Sequence, residues 1–148
     1  LGVCLVNAVA TNFAYLANMA IDNVVSIPQE GSVPVDGLVR ADKQDVLLAM
    51  TFKPYRREVA EAVEAARTQG VTIIAISDSP ASPIFEGADY RFLISVDTPL
   101  LFISTVALSA LLESLMAFVI ADLDESVIAS IERFHQRRYD LGIYLEES

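Results

Sequence analysis

The chain has 148 residues, 53% of them hydrophobic, which suits one domain with a full core. Ten basic residues stand against twenty acidic ones, a formal net charge of −10 and a pI near 4.4. Such a surface repels a polyanion and argues against direct DNA binding by this chain. The single cysteine, Cys4, excludes an internal disulfide and fits a reducing cytoplasm; with His135 the only histidine, no metal site and no cofactor is expected.

In chain order, strands alternate with helices. Residues 1–5 read as a first strand, 7–20 as a helix, 23–27 as a second strand, 28–34 as a loop and 35–40 as a short helical turn. Cys4 reads as a small buried hydrophobe among apolar neighbours. Val46 to Met50 is short and uncharged and follows Asp42-Lys43-Gln44-Asp45, so it reads as a third, parallel strand buried on both faces. A helix follows over 56–69, with Val59, Val63 and Ala66 on one face and Glu58, Glu61, Glu64 and Arg67 toward water. Gly70 stops it.

Residues 71–76 form the fourth strand, 77–83 a turn-rich loop, 84–87 a short helix and 90–95 a fifth strand. The apolar run 99–121 is long enough to span a bilayer, but Glu113 and the absence of a flanking Lys/Arg cluster speak against that. A helix apolar nearly all round is otherwise buried on several sides, which favours an oligomer formed through it. A charged helix over 124–139 closes the domain. The alternation predicts an α/β fold with a parallel, doubly wound sheet.

The most informative stretch is Asp45 to Ala60, where a buried strand ends in a polar turn that opens into an amphipathic helix. The helix start offers unpaired backbone N–H groups and a positive dipole end to a phosphate, and Thr51, Tyr55, Arg56 and Arg57 supply hydroxyls and charge beside them. That strand, turn and Tyr-Arg-Arg-Glu helix, followed by Gly70-Val-Thr-Ile-Ile-Ala-Ile-Ser-Asp-Ser-Pro-Ala-Ser-Pro83 and Ala88-Asp89, resembles the sugar isomerase (SIS) domain, in the version found at the C-terminus of RpiR-type transcriptional regulators.

The resemblance implies a three-layer α/β sandwich with a five-stranded parallel sheet in the order 2-1-3-4-5. It also implies phosphosugar binding, self-association as a dimer or tetramer, and a DNA-binding helix-turn-helix domain upstream. The chain opens on Leu-Gly-Val rather than Met and is expected to be a fragment lacking that upstream domain. In the implied order the switch point lies between strands one and three, so residues 4–8 and 51–57 become the candidate site. The first of these departs from the family, with Leu5 and Val6 where hydroxyls are usual, and Arg56 stands where Ser or Thr is common.

Each candidate has a bland counterpart. Asn7 contacts ligand or caps the following helix. Arg56 grips phosphate through charge and paired donors, or is a solvated side chain. Ser77, with Asp78 and Ser79, lines the pocket or bonds its own turn. Glu113 is the base of an aldose-ketose isomerase or a structural group that needs a partner. His135, among charged neighbours, reads as solvent-facing. Three functions follow: a phosphosugar-sensing, dimerising effector domain; a phosphosugar isomerase; and a degenerate module that only dimerises.

Overall fold

A computed structural model describes residues 1–2 and 5–143. The element order is α1 (Leu5–Ala17), a 3-10 turn (Pro34–Leu38), β1 (Val46–Met50), α2 (Arg57–Thr68), β2 (Thr72–Ser77), β3 (Tyr90–Leu93), α3 (Val106–Ala121) and α4 (Glu125–Asp140). The three strands pair in parallel in the order β1-β2-β3, with Leu48 opposite Ile74 and Ile76 opposite Phe92.

The described residues thus form three strands where five were expected. Hydrogen bonds nonetheless line up the flanking segments beside β1. The Leu1 nitrogen donates to the Leu48 carbonyl at 2.7 Å, Met50 N–H donates back to the Leu1 carbonyl at 3.1 Å, and Gly2 N–H donates to the Ile27 carbonyl at 3.2 Å. The expected strand at 1–5 ends early because α1 already begins at Leu5, and the readings placed on Val3 and Cys4 lie outside the described residues. The expected strand at 23–27 does not form. Asn23 takes a left-handed φ of 68°, and the Asn18 amide holds both the N–H and the carbonyl of Val24, so a local side chain does what a ladder would.

Period-two alternation divides the core between the two faces of the sheet. Leu47, Ala49, Ile73 and Ala75 pack beneath α2, against Val59, Ala62, Val63 and Ala66. Met50 and Ile76 point the other way, toward Val6 and Ala10 of α1 and Leu108 and Leu112 of α3. The result is three layers. Residues 84–87 form turns rather than the expected short helix.

The apolar run 99–121 is a helix only from Val106, because Ser104 and Thr105 interrupt it and the Ser104 hydroxyl accepts the Val106 N–H at 3.4 Å. Among the described residues no helix is long and apolar enough to cross a membrane. Glu113 is exposed on α3, so the expectation that its carboxylate must find a buried partner is corrected: water solvates it in the single chain. No described side chain of α4 is buried.

Candidate functional site

The C-terminal end of β1 carries the site. Thr51 extends the ladder by one residue, its N–H donating to the Ile76 carbonyl at 3.2 Å, and the chain then turns through a cis Lys53–Pro54 bond into α2. Arg56 is the residue before the helix, with extended backbone angles (φ −90°, ψ 126°) and no side-chain cap. The first amides of α2 therefore keep their positive end toward this turn.

Two buried or half-buried contacts from β2 hold the turn in place. The Ser77 hydroxyl, fully buried, donates to the Thr51 carbonyl at 2.6 Å. Asp78, the next residue, accepts the Tyr55 hydroxyl at 3.1 Å through Oδ1 and lies 3.5 Å from the Lys53 N–H through Oδ2. Tyr55 is thereby drawn toward β2, while Lys53 and Arg56 are left on the other side of the turn.

That other side is a cleft of about 360 Å³. Its walls are the β1–α2 turn, with Thr51, Lys53 and Arg56 among its lining; the start of α1, through Leu5 and Val6; and the segment before α3, through Leu101, Phe102 and Ile103. The two loops selected from the sequence do meet, and a third segment closes the space between them. Two cationic side chains on one wall suit an anion, and the volume falls within the range of small-molecule sites.

The sequence-selected residues separate into two groups. Thr51 and Arg56 line the cleft. Tyr55 and Ser77 spend their hydroxyls on Asp78 and on the Thr51 carbonyl, at the back of the same turn. Arg57, exposed, opens α2 and does not line the cleft. Asn7 lies inside α1, so it does not cap that helix, and its half-buried side chain keeps a buried Oδ1 without a hydrogen-bond partner among the described residues.

Glu113 belongs to a different concavity. It lines an apolar groove of about 250 Å³ between α1 and α3, with Phe13, Leu16, Leu112 and Met116. His135 is exposed on α4, edge-on to Phe134 at 5.9 Å between ring centroids. Among the described residues no three His, Cys, Asp or Glu side chains converge as metal ligands would.

Lys53 and the segment 101–103 were missed from the sequence. Lys53 sits in the turn itself, and a cation between Thr51 and Arg56 was signal enough. Residues 101–103 were hidden in the apolar run; the Ser104-Thr105 pair, a helix-start signal, would have released them from the helix.

Comparison with known proteins decides the family. Residues 1–121 match the model of the SIS domain. This chain belongs to the SIS domain family. Among curated proteins, none matches its sequence. The SIS domain is similar in structure to the sugar isomerase domain of an RpiR transcription factor from Sphaerobacter thermophilus, with 24% identity over 88% of this chain and 73% of that one and a TM-score of 0.76. It is similar to the Vibrio vulnificus NanR protein, solved complexed with ManNAc-6P, with 14% identity over 95% of this chain and 54% of that one and a TM-score of 0.75. A Listeria monocytogenes protein proposed to be a sugar-phosphate isomerase shares the fold with 22% identity over 90% of this chain and 67% of that one, at a TM-score of 0.56. At these identities the likenesses establish the fold.

Proposed function

We propose that this SIS domain is the phosphosugar-binding, dimerising effector domain of a bacterial, cytoplasmic RpiR-type transcriptional regulator. One observation carries the reading: the cleft at the C-terminal end of β1, where the β1–α2 turn brings Lys53 and Arg56 to one wall beside the start of α2. The ligand's phosphate sits at this wall. The NanR relative, solved with a phosphosugar, supports the same ligand class for this chain.

Self-association is supported by apolar surface that water would otherwise cover. Val106 and Phe118 on α3 are 74% and 76% exposed, and among the described side chains of α4 none is buried in its own domain. The ligand acts by binding one arrangement of the subunits more tightly than another, and DNA is contacted by an upstream helix-turn-helix domain.

The isomerase reading is the weaker one, because Glu113, its candidate base, lines the α1–α3 groove and not the cleft. A module that only dimerises is favoured by Leu5 and Val6 at the cleft, where the family usually has hydroxyls. A thermal-shift screen against sugar phosphates and their uncharged parents separates the three. A ligand at a hundredfold excess over its Kd adds about 2.7 kcal/mol to stability. A selective shift without turnover supports the sensor, turnover makes the chain an isomerase, and no shift leaves the dimerisation module.

A further inference from the structure

The groove between α1 and α3 and the helix α4 each stand uncovered in the single chain. Leu16 and Ile120, on the groove's two walls, are 39% and 37% exposed, and none of the described side chains of α4 is buried. The groove holds about 250 Å³ and is walled largely by apolar side chains, with Glu113 the one charged group of its described lining. An occupant that fits it is therefore apolar along its length and brings a cation to the carboxylate.

The helix α4 has that composition. Val127, Ile131 and Phe134 recur at helical spacing and so share one stripe. Arg133 and Arg137, one turn apart, form a cationic edge beside the stripe, and both are exposed. The α1–α3 face of a second copy does not fit: α1 carries no charged residue and α3 only Glu113, so face against face would add a second carboxylate without a cation.

We propose that α4 of one copy lies in the α1–α3 groove of a second copy, its apolar stripe against Phe13, Leu16 and Met116 and its Arg133 and Arg137 edge beside Glu113. A two-fold axis makes the exchange reciprocal, so each copy covers the other's groove. The inference rests on the self-association proposed above and names the faces that meet. It also gives Glu113 a role, since a carboxylate in an apolar groove disfavours partners that lack a cation.

Sedimentation of the full chain and of two charge-reversal variants tests this: Glu113→Arg, and Arg133→Glu combined with Arg137→Glu. All three positions are exposed, so the fold should be kept, which circular dichroism checks. The unmodified chain is expected to be a dimer, and each variant alone to dimerise about 100-fold more weakly, because the axis repeats the like-charge contact. An equimolar mixture of the two variants should dimerise again, since every groove then meets an α4 of opposite charge. Phe134→Glu, on a helix with no described side chain in the core, should also dissociate the dimer. A mixture that stays monomeric, or variants that dimerise as well as the unmodified chain, overturns the inference and leaves self-association standing. A monomeric unmodified chain refutes self-association itself, and the inference with it.

Discussion

The Tyr55 hydroxyl donates to Oδ1 of Asp78 at 3.1 Å, tying the turn after β1 to the residue after β2. The same carboxylate lies 3.5 Å from the Lys53 N–H, so one side chain fixes two points of the loop that carries the cleft's cations. Removing the Tyr55 hydroxyl by Tyr55→Phe should cost about 0.5–1.5 kcal/mol in urea unfolding, the net worth of one hydrogen bond. Asp78→Ala, which releases both contacts, should cost more and also loosen ligand binding. Unchanged stability in both variants would mean that the turn holds itself.

Ser77 was selected from the sequence as a ligand contact, yet its hydroxyl is buried against the Thr51 carbonyl at 2.6 Å. Ser77→Ala leaves that carbonyl short of a partner and should destabilise the domain by about 1–3 kcal/mol. Denaturation of the variant measures the cost. A stable variant whose ligand affinity has fallen would instead return Ser77 to the binding surface.

Much of the central fold was legible because the physics there is local. Val46 to Met50 reads as a strand and is one, although the expected burial on both faces holds only toward its end, at Ala49 and Met50, with Val46 exposed; Val59, Val63 and Ala66 fall on the buried face of α2 at helical spacing. That a cleft opens beside this turn also followed, since a polar turn between such a strand and helix lies at the sheet's carboxyl end. What failed turned on single polar side chains that override an apolar pattern. Whether residues 23–27 pair as a strand depended on Asn18 capturing Val24, and whether 99–105 is helix depended on Ser104 and Thr105 outweighing an unbroken apolar pattern. The direction in which Tyr55 and Ser77 spend their hydroxyls is tertiary and has no sequence signal.

Glu113 lines the groove between α1 and α3, apart from the cleft. Glu113→Gln should therefore leave sugar-phosphate affinity within about twofold of the unmodified chain, a difference below about 0.5 kcal/mol as for other surface changes. Calorimetry and a turnover assay over hours check both halves. Turnover that the substitution abolishes would establish the isomerase reading in place of the sensor.

The apolar outer face of α3 predicts self-association. Phe118, 76% exposed, lies outside the single chain's core, so Phe118→Glu should leave the fold intact while shifting sedimentation toward the monomer. A chain that sediments as a monomer before any substitution would exclude this face as an interface.

In the proposed function, Arg56 holds an anionic sugar at the β1–α2 turn. Isothermal titration of the unmodified chain and of Arg56→Ala with the sugar phosphate that gives the largest thermal shift tests it directly. Loss of a charge-assisted hydrogen bond should weaken binding by about 1.5–3 kcal/mol, with circular dichroism unchanged. Equal affinity in the two proteins, or no sugar phosphate that binds the unmodified chain, would contradict the account.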